Sequence, residues 1–293
     1  MIAVFGHRGA RGLLPENTLA GMALAARLQL TGVEFDIGMT ADGIAVVHHD
    51  ARPNPDIARN SAGIYAGGDA PLIRDLTFQQ LATYDVGQLR TGSAYAARFP
   101  AQVPVPGARV PALAELLTSC ASLETLIEIK TYPDHPATTQ PPEQLVEAVV
   151  RALRQAGGMA KAMICAFDWR VLEEVAKLEP ALRRCCLTEP QTVRRSHLWF
   201  GKTNLEAFGG SVPRAVAASG AVAWSAFHES LDEAQIDEAR RLGLAVLAWT
   251  VNEPADIHRM ISLGVDGIIS DRPDLVKEVL AGCGIGMTPA RER

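Results

Sequence analysis

The sequence of 293 residues lacks several features that would place it quickly in a class of proteins. Its five cysteines are odd in number and no two have C-x-x-C spacing, so neither a disulfide framework nor a zinc site is indicated. No apolar run approaches the ~20 residues of a membrane helix, and we expect no stable membrane insertion. The N-terminus has no basic region and no apolar core, so we expect no secretory signal. Together these absences favour a cytoplasmic protein.

The chain also lacks a strong charge of either sign. Its 28 Lys and Arg residues oppose 33 Asp and Glu residues, which gives a formal net charge of −5. Because there is no basic run, we expect no nucleic-acid partner. An anionic small molecule would need a local positive site or a metal ion. The composition, 48% hydrophobic and 21% charged, is that of a globular protein, and nothing in it indicates the oligomeric state.

Short apolar segments alternate with amphipathic segments along most of the chain, which predicts β-strand and α-helix units and a parallel sheet. Eight such units favour the α/β class and a closed (β/α)8 TIM barrel. An open doubly wound sheet is the alternative, but the glycines at 6–12 lack its G-x-G-x-x-G spacing. The predicted strands are 2–5, 33–37, 126–130, 163–167, 184–187, 221–225, 245–250 and 267–269.

One region interrupts this rhythm after the second strand. Residues 51–111 are rich in Pro, Gly, Asn and Asp and show no strong period, and so long a stretch is not expected to be a structureless loop. We therefore expect a small insertion subdomain there, lying over one end of the barrel. Residues 1–50 and 112–283 would form the barrel, and residues 284–293 a frayed C-terminal tail.

Carboxylates lie on the second and third long strands. Glu34 and Asp36 are two positions apart and therefore face the same side, and Glu128 lies on the next barrel strand. Carboxylates deep in an apolar barrel repel each other and lose hydration, and a bound cation removes both problems. Three oxygen ligands suit Mg²⁺, Mn²⁺ or Ca²⁺. The alternative is a buried salt-bridge network in which Arg8 and Lys130 neutralise the carboxylates.

Histidines and an arginine are predicted at the same end of the barrel. His7 and Arg8 directly follow the first strand, and His48 and His49 follow a short strand-like segment. Imidazole serves as an acid or base near neutral pH, and a guanidinium group can clamp a phosphate. Adjacent histidines face opposite ways, so the pattern leaves open which of the pair faces the site. With a divalent ion, these groups favour phosphoryl chemistry.

These residues lie in motifs that together resemble the glycerophosphodiester phosphodiesterases. The resemblance runs from residue 5 to about residue 276, and the order and spacing of the motifs are more specific than any one of them. The motifs are H-R-G at 7–9, P-E-N-T at 15–18, E-F-D at 34–36, T-A-D-G at 40–43, V-V-H-H-D at 46–50, L-I-E-I-K at 126–130, A-W-T-V-N at 248–252 and G-V-D-G-I-I-S-D-R-P at 264–273.

The resemblance implies metal-dependent hydrolysis of a small-molecule glycerophosphodiester to an alcohol and sn-glycerol 3-phosphate, in a βα barrel with an insertion. It implies that His7 and His49, the histidine directly before an aspartate, are the catalytic acid and base. It assigns the remaining roles as follows: Glu34, Asp36 and Glu128 as ligands of one divalent cation, and Arg8, Lys130 and Trp249 as substrate-binding residues.

Two other functions stay open. One is a non-catalytic barrel that binds glycerophosphodiesters, although both histidines and all three carboxylates are present. The other is a lipid-directed phosphodiesterase of the lysophospholipase D type, which needs a membrane-facing apolar rim. In the insertion, the residues that would have to supply this rim are Ile64, Tyr65, Leu72, Ile73, Tyr95 and Phe99.

Overall fold

Eight parallel strands close into a barrel in the computed structural model, which describes residues 1–291. Strand β1 pairs with both β2 and β9, and this pairing closes the sheet. The predicted TIM barrel is therefore confirmed, and each predicted barrel strand overlaps the observed one. The strands are β1 (Ala3–His7), β2 (Gly32–Met39), β3 (Ala45–Val47), β4 (Glu124–Ile129), β5 (Ala162–Ala166), β6 (Arg183–Thr188), β7 (Ala223–Phe227), β8 (Ala245–Trp249) and β9 (Gly267–Ser270).

Helices follow the barrel strands, and several begin at a capping side chain. The Thr18 hydroxyl accepts a hydrogen bond from the Gly21 amide, and Asp168 and Asp232 cap later helices in the same way. Within residues 1–291, no helix combines the length and the apolar character needed to cross a bilayer. The α-helices are α1 (Leu19–Arg27), α2 (Phe78–Leu81), α3 (Ala94–Ala97), α4 (Leu113–Ser119), α5 (Pro142–Ala156), α6 (Trp169–Leu178), α7 (Pro190–Arg194), α8 (Ser196–Trp199), α9 (Val212–Ala218), α10 (Glu233–Arg241), α11 (Pro254–Leu263) and α12 (Pro273–Gly282). Short 3₁₀ segments lie at Ile73–Asp75, Pro136–Thr138, Met159–Lys161, Leu205–Phe208 and His228–Ser230.

Alternate residues of each strand face the helices or the barrel interior. Ile127 packs in the large apolar cluster between strands and helices, whereas Leu126 packs in a smaller interior cluster with Phe5 and Leu247. Because side chains two apart share a face, Glu128 points to the interior like Leu126, at the carboxyl end of β4. The same strand face therefore carries apolar side chains inside the barrel and a charged side chain at its carboxyl end.

The segment between β3 and α4 has an apolar cluster of its own. Strand β3 pairs antiparallel with β2, and the chain then runs through short helices and isolated bridges, such as those of Arg59 with Tyr65 and Asp85. The segment is therefore ordered, and its assignment as a separate subdomain stays a prediction. The buried members of its cluster are Val46, Ile57, Ala58, Ile73, Leu76, Leu81, Val86 and Val110.

The predicted fraying of the C-terminal tail is wrong for its described part. Met287 forms a parallel bridge with Ile2, and Thr288 donates its amide to the Ile2 carbonyl at 3.0 Å. Ile285 and Met287 pack against the main apolar core. The backbone amide and carbonyl of Ile2, just before β1, need hydrogen-bond partners, and Gly286 and Thr288 of the tail provide them. The last two residues of the predicted tail, 292 and 293, lie outside the described part of the chain.

The apolar cluster of the insertion provides a stability test. Leu81 is fully buried there, so Leu81→Ala should lower the free energy of unfolding by about 2–5 kcal/mol, because the truncated side chain leaves a cavity. Urea unfolding followed by circular dichroism measures this change. Leu178→Ala, at a leucine 41% exposed on α6, is the matched control and should change the free energy by less than about 0.5 kcal/mol. An unchanged value for Leu81→Ala would show that the insertion does not unfold with the barrel.

Candidate active site

The carboxyl ends of the barrel strands surround a cavity of about 300 Å³. Acidic, basic and aromatic side chains line it together, as expected where parallel strand ends meet. Asp36 lies behind this surface, only 1% exposed, and contacts two of the lining cations. The structure thus brings the predicted site residues to one place. The predicted residues that line the cavity are His7, Arg8, Glu34, His49, Glu128, Lys130 and Trp249.

Glu34, Asp36 and Glu128 form a compact, buried acidic cluster. Each offers one carboxylate oxygen, and these oxygens lie within 4.8 Å of one another. Burial raises the pKa of Glu34 well above its usual range, and the neighbouring Asp36 and Glu128 raise it further. Burial opposes ionisation of Asp36 too, but Arg8 holds the pKa of that carboxyl well below its usual range. Negative charge on Glu34 is therefore not fully offset by the protein, and the cluster could hold a metal ion.

Two cations contact this cluster. The Lys130 Nζ lies 2.6 Å from Glu128 Oε1 and 3.3 Å from Asp36 Oδ1. The Arg8 Nε lies 3.2 Å from Asp36 Oδ2, but its Nη1 donates to Glu16 Oε1 at 2.8 Å. The salt-bridge network considered from sequence is thus present. Because Arg8 is shared with a further carboxylate, the network does not neutralise the cluster completely.

The end of β1 and the tight turn that follows it bring His7 and Arg8 to the cavity. Arg8 and Gly9 both have positive φ, 52° and 92°, and the Gly9 amide donates to the Gly6 carbonyl at 3.2 Å. A Cβ at Gly6 would lie 1.7 Å from the Gly9 carbonyl oxygen. Glycine at position 6 is therefore a steric requirement of the turn that carries the first site histidine.

An aspartate holds each of the two predicted catalytic histidines through the same ring nitrogen. His7 Nδ1 lies 2.6 Å from Asp271 Oδ1, and His49 Nδ1 lies 2.8 Å from Asp50 Oδ1. His7 Nε2 lies 3.7 Å from Glu34 Oε2, on the side of the acidic cluster. His48, in contrast, places its Nε2 3.0 Å from the Arg52 carbonyl oxygen and does not line this cavity. The alternative that sequence pattern left open is resolved geometrically: His49 faces the cavity.

Both histidines that line the cavity favour the neutral imidazole. Burial and the positive charge of Arg11 together lower the pKa of His7 to about 4, although Asp271 opposes both effects. Burial also lowers the pKa of His49, with Lys130 acting in the same direction. Near neutral pH each ring therefore has a nitrogen lone pair available to accept a proton.

Sequence reasoning missed the residues that hold His7. Arg11 donates from Nε to Asp271 Oδ1 at 2.8 Å and from Nη2 to Asp271 Oδ2 at 3.0 Å. Asn252 donates to Asp271 Oδ2 at 2.9 Å. Despite burial, His7 and Arg11 hold the pKa of Asp271 well below its usual range. Asp271 follows β9 and Asn252 follows β8, so the strand-end rule applied to the last two strands would have found them.

The insertion contributes polar groups to the cavity, which sequence reasoning also missed. Asn54 donates to Asp50 Oδ2 at 2.6 Å and so holds the aspartate that contacts His49. Tyr95 donates its hydroxyl hydrogen to Glu16, and Arg98 lines the cavity beside it. The insertion is therefore part of the site wall. No periodic signal marks these positions in the sequence.

Aromatic side chains form part of the cavity wall. The ring centroids of Phe167 and Trp249 lie 5.4 Å apart with the planes at 84°, and the Phe227 centroid lies 5.7 Å from that of Trp249. Phe167 and Trp249 line the cavity. Trp249 thus occupies the wall rather than the closed core, which is the position that its predicted role requires.

Comparisons with known proteins agree with this architecture. Residues 7–275 match the model of the Glycerophosphoryl diester phosphodiesterase family. A relative from Caldanaerobacter subterraneus subsp. tengcongensis, named glycerophosphodiester phosphodiesterase, is 27% identical over 282 residues, 92% of this chain and 94% of its own. The crystal structure of a Silicibacter pomeroyi DSS-3 protein named after the same family is 35% identical, with a TM-score of 0.88 over 98% of this chain and 96% of that one. At 21% identity and a TM-score of 0.71, an Oleispira antarctica phosphodiesterase in complex with the product sn-glycerol-3-phosphate shares the fold over 95% of this chain and 96% of its own.

The turn after β1 gives a testable consequence. Gly6→Ala should lower the free energy of unfolding by about 1–3 kcal/mol, because the added methyl group cannot fit beside the Gly9 carbonyl without moving the backbone. Thermal unfolding monitored by circular dichroism measures the effect. Gly282→Ala is the control, since nothing lies within 4 Å of a Cβ there. Equal stability of the two variants would contradict the steric interpretation of the turn.

Proposed function

Because the chain belongs to the glycerophosphoryl diester phosphodiesterase family and is a phosphoric diester hydrolase, we propose that it hydrolyses glycerophosphodiesters to an alcohol and sn-glycerol 3-phosphate. The observation that carries this proposal is the convergence of a carboxylate cluster and two aspartate-held histidines on one cavity. The Oleispira antarctica phosphodiesterase, which has the same fold and was solved with sn-glycerol-3-phosphate, supports the product assignment.

Glu34, Asp36 and Glu128 are the residues that would hold one divalent cation, Mg²⁺, Mn²⁺ or Ca²⁺. Their oxygens are hard ligands gathered within 4.8 Å, as such an ion requires. Burial and the neighbouring carboxylates raise the pKa of Glu34 despite the charge of Arg8, and a divalent ion would supply further positive charge there. When bound, the ion would supply positive charge that stabilises the phosphate oxygens during reaction.

Arg8, Lys130 and Trp249 are proposed to bind the substrate. Arg8 and Lys130 both line the cavity and both contact Asp36, so a phosphate placed between them would lie beside the acidic cluster. Guanidinium and ammonium groups stabilise the charge of a phosphoryl group. The ring of Trp249 offers an apolar surface for the carbon atoms of the substrate.

The aspartates favour one tautomer of each ring. Asp271 is anionic and can only accept, so we assign the His7 proton to Nδ1 and the accepting lone pair to Nε2. Asp50 acts on His49 in the same way. One imidazole removes the proton from the attacking oxygen as that oxygen bonds to phosphorus. The other imidazole takes up a proton from water and donates it to the leaving alkoxide as the phosphorus–oxygen bond breaks.

The structure favours small diesters over a lipid-directed reaction. Of the six residues considered for a membrane-facing rim, Ile73 and Phe99 are buried, and Tyr95 is engaged with Glu16 inside the cavity. Ile64 is well exposed, and so is Val103, but these two side chains of the insertion are far apart in the sequence and do not form an apolar run. The complete set of histidines and carboxylates argues against a purely binding role. A cytoplasmic location and the lack of a nucleic-acid partner stay predictions from the sequence.

Metal removal tests the proposed activity. Protein treated with EDTA should lose hydrolysis of glycerophosphodiesters, and addition of Mg²⁺, Mn²⁺ or Ca²⁺ should restore it, because the acidic cluster would regain its cation. A panel of choline, ethanolamine, glycerol and inositol diesters, with coupled detection of sn-glycerol 3-phosphate, gives the measurement. Full activity after chelation would leave the carboxylates as a structural network. No release from any diester, with each ion supplied, would contradict the proposed activity.

Substitution of the histidines tests their roles. His7→Ala and His49→Ala should each lower kcat by ~10²–10⁴-fold, the usual contribution of general acid–base catalysis. His48→Ala is the matched control, because this neighbouring ring binds the Arg52 carbonyl outside the cavity. It should retain kcat, provided that circular dichroism shows it folded. A value of kcat near that of the unmodified enzyme in either cavity variant would refute the assigned role of that histidine.

A further inference from the structure

A second cavity, of about 270 Å³, adjoins the catalytic one. The two cavities meet at residues proposed to bind the phosphate and at His49, one of the two proposed acid–base groups. A phosphodiester bound at this junction has two substituents, and each cavity can receive one of them. The residues that line both cavities are His49, Glu128, Lys130, Phe167 and Trp249.

The walls that belong to the side cavity alone include two aromatic rings and one acid. Tyr132, Trp199 and Glu189 line it, together with Ile129, Thr131 and Thr192. With Phe167 and Trp249 at the junction, aromatic rings therefore bound this cavity on several sides. The faces of such rings carry negative electrostatic potential and attract organic cations, quaternary ammonium groups above all.

Burial raises the pKa of Glu189, and the charges of Lys130 and Arg194 oppose this effect without forming a salt bridge to its carboxylate. Within residues 1–291, no Lys, Arg or His side-chain nitrogen lies within 4.0 Å of it. Lys130, which also lines the cavity, is already bound to Glu128 and Asp36. The Glu189 backbone is fixed at the start of α7, where its amide donates to the Thr192 hydroxyl at 3.1 Å. The Glu189 side chain also accepts from the Thr192 amide at the start of α7. The acid is thus held at the cavity wall with no salt-bridge partner among the described residues.

The catalytic cavity has three arginines in its wall, whereas the side cavity has none. Arg8, Arg11 and Arg98 line the catalytic cavity together with Asn54 and the carboxylates of Glu34 and Asp50. The arginines suit the hydroxyl groups of glycerol and disfavour a positive charge. A cationic substituent would therefore be directed to the side cavity.

We propose that the side cavity binds the quaternary ammonium head group of a glycerophosphodiester, with Glu189 as its counter-charge and Trp199 as part of its aromatic enclosure. This assignment rests on the proposed phosphodiesterase activity and names its preferred leaving group as a cationic alcohol. Glu189 and Trp199 would be specificity-determining residues, since they line the side cavity and do not line the catalytic one.

The test compares two substrates that differ in head-group charge. With the metal-loaded enzyme, kcat/KM is measured for glycerophosphocholine and for glycerophosphoglycerol, and their ratio is the readout. Glu189→Gln keeps the size of the side chain and should lower the ratio by about three- to tenfold, the range expected for loss of one cation contact near a protein surface. Trp199→Leu should lower it as well. Glu229→Gln, which removes an exposed charge after β7 and lines neither cavity, should leave the ratio unchanged.

Inhibition by free choline provides a second measurement that does not depend on Trp199→Leu folding. Choline should inhibit hydrolysis of glycerophosphoglycerol, and Glu189→Gln should weaken that inhibition by the same factor as the substrate ratio. An unchanged ratio and unchanged inhibition in Glu189→Gln would overturn the head-group assignment, as would an equal loss in Glu229→Gln. In that case hydrolysis of glycerophosphoglycerol would still support the proposed activity. Absence of sn-glycerol 3-phosphate from both substrates would instead refute the activity and the assignment together.

Discussion

The requirement to stabilise buried negative charge at one end of the barrel shapes the whole site. Glu34, Asp36 and Glu128 are removed from water, and each loses hydration that only cations and hydrogen-bond donors can replace. Arg8 adopts positive φ in the turn after β1, which brings its guanidinium to Asp36. Lys130 continues the chain from β4 to reach the same carboxylate. The proposed divalent ion would add positive charge beside Glu34, whose buried carboxylate the protein stabilises least.

The segment before α1 serves the same requirement. Glu16 accepts a hydrogen bond from Arg8 and so fixes the orientation of that side chain. Asn17, with φ of 56°, donates its side-chain amide to Asp36 Oδ2 at 3.0 Å. Thr18 then caps the helix. Three consecutive residues of the P-E-N-T motif thus contact a cation, a carboxylate and a helix end.

The sequence predicted features that arise from neighbouring residues, such as strands. It did not predict contacts that form only when the barrel closes. The eight strands follow from short-range hydrophobic patterns, and the shared face of Glu34 and Asp36 follows from strand alternation alone. The contact between His7 and Asp271 joins the first and last strands and exists only because β1 pairs with β9. The bridge between Ile2 and Met287 has the same origin. No local pattern encodes either contact.

The selection of His49 over His48 shows how one added strand completes the site. Strand β3 runs antiparallel to β2, with Val47 opposite Ile37, so the chain leaves β3 directly beside Asp36. The His48 amide donates to the Asp36 carbonyl at 3.0 Å, which fixes the backbone there, and its ring turns outward to Arg52. Because consecutive side chains of an extended chain point to opposite sides, the next ring must turn inward. Strand β2 therefore carries two of the three clustered carboxylates and also determines the position of His49.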